Sequence, residues 1–405
     1  MKKAIIILVL AVTVMFTSCK DPLPTAIVTT GDVTNITTNS AQIEGSVTIT
    51  ENTTITELGL CWSSKPNPEV SDNHISTSNV SEPFSYTLTK LEPETEYHVR
   101  AYAFDESVYC YGEDVCFSTE PKGLFTISDG LGGCCKVRFS KGNLQYQAST
   151  NTWRFAEHQW DFIGYSEPDQ YGYTYGTVNG SSNHLIGPNY DGWIDLFGWG
   201  TSGKSHGAVC YQPWSTSTKD LDYSAYGDIQ DDLNYWEHQA DWGVNPISNG
   251  GNQPNIWRTL SEREWNYLLR QRKTNSGIKF VKAFINDLDV TGTIILPDDW
   301  DNSIHPLIYE PFSNNNLSLD DWHLLEENGA VFLPLTGERH GTVTSGCYNK
   351  SIYWTSSHVS WIGVNNDYCA FGIQFSDGID YYYEMPKHTG LAVRLVQDYP
   401  LNASY

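Results

Sequence analysis

The stretch from Gly329 to Asp398 limits the possible folds more than any other part of the chain. Within it Tyr368 to Phe375 alternates. Cys369, Phe371, Ile373 and Phe375 share one face, and Ala370, Gly372 and Gln374 share the other. Asp377-Gly378 follows, a dipeptide suited to the tight turn whose twist matches paired strands. Ile379 to Glu384 is therefore predicted to fold straight back as the second arm of a hairpin. Across it, Tyr381 or Tyr383 is expected opposite Phe371 and Phe375, closing the core, which leaves Asp380 and Tyr382 on the outer face. Ala330 to Leu335 and Leu391 to Val396 are apolar runs, the second broken only by Arg394, as in strands covered on both faces.

The start of the chain reads differently. Lys2-Lys3 and the apolar run Ala4 to Phe16 make a basic region and a hydrophobic region of signal-peptide length, too short for a comfortable membrane span. Phe16-Thr17-Ser18-Cys19 resembles a bacterial lipobox, which implies cleavage after residue 18 and lipidation of Cys19. Residues 19–23 are then the lipidated N-terminus and a linker. The resemblance implies a protein at the cell surface, anchored by lipid in the bacterial outer membrane. The net charge of -24 speaks against nucleic acid as a partner, because phosphate binding needs clusters of Lys and Arg.

Residues 24–119 show strands and turns only. Ala41, Ile43, Gly45 and Val47 alternate with polar residues, as do Phe84, Tyr86 and Leu88. Leu91-Glu92-Pro93-Glu94-Thr95-Glu96-Tyr97 then leads into Tyr97, Val99, Ala101 and Ala103 on one face, with His98, Arg100 and Tyr102 on the other. This resembles the corner of a fibronectin type III domain, in which a Tyr bonds back to the corner backbone. The resemblance implies an all-β sandwich, with the His98/Arg100 face in solvent. Residues 120–123 form a linker.

In residues 124–399, Leu124–Ile127 and Lys136–Phe139 read as an opening hairpin. Ser261 with Glu264, and Ser318 to Asp321, cap two short helices, with Trp265, Leu268 and Leu269, and Trp322, Leu324 and Leu325, predicted inward. Thirteen of the 14 Trp lie beyond residue 150, so this segment must bury or display most of the large rings. Gly329-Ala330-Val331, Leu333-Pro334, Gly337, Arg339, Gly341, Tyr353-Trp354-Thr355-Ser356-Ser357 and Gly390 to Leu395 together resemble the closing sheet of C-type-lectin-like domains. The branch is the one that includes formylglycine-generating enzymes and bacterial surface lipoproteins. Trp257 to Trp265 and Ile294 to Trp300 extend the likeness. It implies an α+β C-type-lectin-like domain with two short helices and long loops, its opening hairpin beside Leu391 to Val396. Residues 400–405 form a tail.

Apart from Cys19 there are eight cysteines, which permits disulfides in an exported protein. Cys110 and Cys116 are read on one strand, some 20 Å apart by strand rise, and cannot pair while that strand is extended. Cys134-Cys135 is a vicinal pair near a hairpin tip, and Cys347 and Cys369 are the pair expected to bridge. The oxidase chemistry of the relatives needs two closely spaced cysteines. The twenty-two-residue interval between Cys347 and Cys369 departs from that pattern. The histidines are scattered, without metal-ligand spacing. No cofactor is expected. Calcium, bound by some relatives, would have to use Asp231-Asp232, Asp298-Asp299 or Asp320-Asp321, which read better as turns and helix starts. The expectation is a non-enzymatic protein that binds a glycan or protein ligand. The alternatives are a formylglycine-generating-type oxidase and a structural or adhesive subunit of a surface appendage. The expected ligand-binding residues are Trp361, Asn365, Asn366, Tyr368, Asp380, Tyr382 and His388, a paratope-like mixture of rigid rings and adaptable polar groups.

Overall fold

The computed structural model describes residues 26–49, 54–78, 83–131, 133–165, 176–178, 180–224, 231–233, 239–309, 313–359, 368–376 and 379–399, with the backbone alone at 379–381. They form two compact units, residues 1–121 and 122–405. Cys19 and the segment around it lie outside the described residues. Among the described residues no helix is long and apolar enough to cross a membrane.

The first unit packs two antiparallel sheets face to face. One has the order Ala26–Thr34, Ser40–Ile49, Phe84–Thr89. The other runs Asn73–Thr77, Glu57–Ser63, Glu96–Phe104, Tyr109–Tyr111, with Val115–Ser118 also on Glu96–Phe104. The period-two pattern dictates the core: Ala41, Ile43 and Val47 meet Leu58, Leu60, Val99, Ala101 and Phe117 between the sheets. The Tyr97 hydroxyl accepts a 3.0 Å bond from the Glu92 N–H, tying the chain corner to the strand that follows it.

The second unit is built on a five-stranded sheet, order Leu196–Phe197, Leu391–Ala392, Ser351–His358, Cys369–Ser376, Ile379–Pro386. Both faces are buried. Ile352, Trp354, Ala370 and Leu391 pack with Trp153, Trp199 and Trp242 on one side. Tyr353, Ile373, Phe375 and Ala392 pack with Trp265, Leu268 and Leu333 on the other. A four-stranded sheet brings the start and end of this unit together: Cys134–Phe139 lies between Phe125–Ser128 and Leu395–Tyr399, with Phe139 opposite Val396. A third sheet, Asn315–Leu317, Phe280–Ile285, Val290–Ile295 and Val331–Pro334, packs Ile294 and Phe332 against Trp322 and Leu325 of the helix Leu319–Glu327.

Both helix starts form as the sequence indicates, with reciprocal bonds between Ser261 and Glu264 and between Ser318 and Asp321. The first helix, Glu262–Asn266, widens into a π-helical turn over Tyr267–Gln271. Leu324, expected inside, is 40% exposed; the inward stripe of this helix is Trp322 and Leu325.

The hairpin corrects a second expectation. Its register places Ile373 opposite Tyr382 and Gly372 opposite Tyr383. Directly paired residues of an antiparallel ladder share a face, so Tyr382 joins Ile373 and Phe375 and packs on the core. Tyr383 is the exposed member of the pair. A one-residue error in parity moves every side chain to the opposite face.

The eight described cysteines are all thiols. The bridge expected between Cys347 and Cys369 is not formed, and the register explains why. Ser351 pairs with Phe375, so Cys347 lies beyond the Phe375 end of the strand Cys369–Ser376, and Cys369 opens its other end. Six residues of strand separate those ends, about 20 Å. The Cys347 thiol is buried in the third core and bonds the Thr336 carbonyl at 3.1 Å.

Candidate ligand-binding groove

Where the strand Ser351–His358 leaves its partner, the ladder shifts register between Trp354 and His358. Bulges of this kind re-aim side chains at strand ends. Here Ser356 breaks away to bond other segments: its N–H donates to the Leu260 carbonyl at 2.9 Å, and its carbonyl accepts from Leu233 at 2.8 Å. The Ser357 hydroxyl accepts from the Glu262 N–H at 3.1 Å, and the His358 N–H donates to Asp232 at 2.7 Å. The strand end, the start of the first helix and the Asp231–Leu233 segment thereby become the walls of one groove of about 1240 Å³. Trp257, Phe371, His358, Arg263, Glu262 and Asp232 line it, with Leu131, Lys204 and Val244 further along.

The polar groups of this groove fall into two sets. At its base, Arg258 bonds both oxygens of Glu264 at 2.8 and 2.9 Å and also Asp398 at 2.8 Å. Burial disfavours the charge on Arg258, but its bonds to the two carboxylates outweigh that effect and raise its pKa. Asp241 is fully committed too, accepting from the N–H groups of Gly243 and Thr259 at 3.0 and 2.9 Å. Its burial raises its carboxyl above the ordinary range, and those N–H bonds oppose the shift. These groups hold the base rigid. Around them, half-buried Glu262 and exposed Arg263 face the groove beside the rings of Trp257 and Phe371. Burial raises Glu262 while Arg263 and Arg270 pull it back. The Trp257 ring is fixed by its indole N–H to the Gly250 carbonyl at 2.7 Å. Such a site offers fixed ring faces with directional donors and acceptors beside them, a combination that orients polar ligands.

Of the residues singled out from the sequence, Trp361, Asn365 and Asn366 lie outside the described residues, as does the side chain of Asp380. Tyr368 is half-buried, and its carbonyl accepts from the Lys387 N–H at 2.8 Å. Tyr382 sits on the core with the Arg270 guanidinium 5.6 Å from its ring. His388 lies elsewhere: its Nδ1 is 2.9 Å from Asp220, and its ring centre is 6.4 Å from that of His340. Burial lowers its pKa and Asp220 opposes that. None of the described expected residues lines the groove. Sequence reading did single out Trp257, within the helix-opening motif, and Phe371, within the alternating strand. His358, Asp232 and Arg263 carried no local signal as a group.

The acidic pairs have structural partners. Asp298 accepts from the Thr126 N–H at 2.8 Å and pairs with Arg272 at 2.7 Å, Asp321 completes a helix cap, and Asp232 holds His358. Most Trp rings are buried, among them Trp199, Trp242, Trp265, Trp300, Trp322 and Trp354, pinning loops to the sheets. Three fully buried arginines, Arg272, Arg339 and Arg394, do the same through polar bonds. Arg339, for example, donates to the carbonyls of Leu196, Ser215 and Gly341.

No family model matches the chain, and no curated protein matches it. Solved structures do. One is the sensor domain of the anti-sigma factor RsgI4 of Pseudobacteroides cellulosolvens, at 20% identity over 24% of this chain and 98% of that one, TM-score 0.19. Another is the sixth fibronectin type III domain of human fibronectin type III domain containing protein 3, at 24% identity over 23% and 83% of the two chains, TM-score 0.19. The FN1–FN3 domains of chicken CNTN1 match at 20% identity over 24% and 31%, TM-score 0.20. By its own two sheets and its tyrosine-bonded corner, the first unit is a fibronectin type III-like β-sandwich. Part of the outer face of this fibronectin type III-like unit, expected in solvent, is covered. Tyr102 is fully buried beneath Tyr109 and Tyr111, its hydroxyl donating to Glu57 at 2.6 Å. Arg100 lies over the Tyr111 ring at 4.6 Å.

Proposed function

We propose that the chain is a non-catalytic ligand-binding protein of the bacterial outer surface. On this reading a lipid on Cys19 holds it to the outer membrane. The fibronectin type III-like unit serves as a spacer, and a C-type-lectin-like second unit takes a glycan or protein ligand in the groove at Trp257, His358 and Phe371. The observation that carries it is the make-up of that groove: ring faces beside directional polar groups, over a base whose ion pairs are already satisfied. Its volume exceeds that of usual small-molecule pockets, roughly 300–1,000 Å³, which favours an oligosaccharide or an extended peptide segment. In the sequence, residues 360–367, with Trp361, Asn365 and Asn366, follow His358-Val359 directly.

The full chain should be screened on glycan and surface-protein arrays, and the ligand found should be titrated against Phe371→Ala, His358→Ala and Trp361→Ala. Each is expected to weaken binding by about 1–2 kcal/mol, the scale of an interface hot spot. Unchanged affinity in all three would place the site elsewhere. Anchoring is read separately: fatty-acid label should enter the wild type and be lost in Cys19→Ala, and an unlabelled wild type removes the anchor from this account.

The oxidase alternative has less support, because the late cysteines stand at opposite ends of one strand, and burial pushes the Cys347 thiol far above its ordinary value. Copper-supplemented turnover of a cysteine-containing peptide, lost in both Cys347→Ser and Cys369→Ser, would reinstate it.

A further inference from the structure

We propose that the fibronectin type III-like unit carries a site for a thiolate-binding divalent transition cation, Zn²⁺ by preference, made of Glu96, His98 and Cys116. Glu96 and His98 are two residues apart on one strand and share a face; Cys116 stands directly opposite His98 on the neighbouring strand. One ligand atom from each lies within 4.8 Å of the others, and His98 Nε2 is 3.9 Å from the Glu96 carboxylate. A tetrahedral Zn²⁺ with bonds of about 2.0–2.3 Å draws its ligands to roughly 3.5 Å of one another. The carboxylate of Glu96, 68% exposed, can move by that much without disturbing packing.

A second observation concerns the histidine's orientation. Its Nδ1 lies 3.0 and 3.1 Å from the two oxygens of Asp114, and Asp114 is itself fixed by the Asn67 N–H at 2.9 Å. An ionised carboxylate only accepts hydrogen bonds, so a neutral imidazole here carries its proton on Nδ1. Nε2 then carries the lone pair, on the side of the ring 3.9 Å from the Glu96 carboxylate. A carboxylate behind a histidine, fixing its tautomer and ring, is how zinc sites hold imidazole ligands. The mixture of thiolate, imidazole and carboxylate suits Zn²⁺ and its neighbours and not Ca²⁺ or Mg²⁺, which take oxygen. Three protein ligands leave a fourth position for water.

Binding is a ligand exchange. The Cys116 S–H proton passes to solvent, the sulfur bonds the ion, and Glu96 and His98 replace two further waters of the hydrated cation.

The test uses the full, reduced chain stripped of metal and titrated with Co²⁺, whose thiolate-to-metal charge-transfer band reports sulfur ligation. The expected result is a band saturating at one equivalent and displaced by Zn²⁺. Cys116→Ser should abolish it, His98→Gln should weaken binding at least tenfold, and Asp114→Asn, which touches no ion, should weaken it about 10- to 100-fold. Zn²⁺ should raise the Tm of the sandwich in the wild type and not in Cys116→Ser, which guards against a variant that has merely misfolded. A band that persists in Cys116→Ser, an affinity unchanged in His98→Gln, or no band at all would overturn the site.

Discussion

Asp195 shows what burial does to one residue. It is 1% exposed, accepts from the Ile163 N–H at 2.7 Å, and burial raises its carboxyl from 3.8 to about 6, against the pull of that bond and of Arg339. A raised carboxyl binds its proton more tightly in the folded state. Its favourable contribution is therefore full below about pH 4 and is lost as pH rises through 6. The size is about 3 kcal/mol, from roughly 1.4 kcal/mol per pKa unit. Asp195→Asn should remove this slope: urea midpoints of wild type and variant should diverge between pH 4 and 6.5 and run parallel above it. Parallel curves throughout would show that Asp195 keeps an ordinary carboxyl. The buried arginines are the basic counterpart. Arg394, fully buried, meets Asn143 and Gln159, and burial lowers it to about 10. In the sequence it is only a break in an apolar run.

At the scale of elements, the helix Leu319–Glu327 separates local signal from packing. The Ser318 hydroxyl accepts from the Asp321 N–H at 3.1 Å, and Asp321 accepts from the Ser318 N–H at 2.9 Å. Ser318→Ala should cost about 1 kcal/mol of stability in a urea melt, within the 0.5–2 range of lost caps. Leu325→Ala should cost about 2–5 kcal/mol as a core deletion, and Leu324→Ala, on the exposed side, less than half of what Leu325→Ala costs. Equal losses at Leu324 and Leu325 would reverse the face assignment. The cap was readable because its partners lie three residues apart. The face was not, because Leu324 and Leu325 are equally apolar and only the sheet beneath the helix chooses between them.

For the molecule as a whole, the cores respect the division of the chain. Among the described residues the sandwich core draws on Ala26 to Phe117, and the three cores of the second unit on Phe125 to Val396. Each unit thus holds its own apolar burial, the condition for separate unfolding. Calorimetry of the full chain should resolve two transitions, and residues 24–121 alone should unfold cooperatively. Tyr97→Phe, which removes the bond from Glu92, should lower only the sandwich transition, by about 4–8 °C for a loss near 1 kcal/mol. A shift of both transitions would mean that the units unfold as one.

The sequence alone determined whatever is carried by neighbours in the chain. It carried the alternation of Ala41 to Val47, the Tyr97 corner, the antiparallel pairing of Ser376 with Ile379 and both helix caps. These follow from backbone geometry and short-range bonding, which act over a few residues. Tertiary structure decided which surfaces meet. It put Tyr382 inside and Tyr383 outside, held Cys347 and Cys369 apart, and set His98 opposite Cys116. It also assembled the groove from Leu131, Asp232, the Trp257–Glu264 segment, His358 and Phe371, residues far apart in the chain. Register and long-range packing make those choices, because a period of two says that a strand has two faces and leaves open what each face will cover.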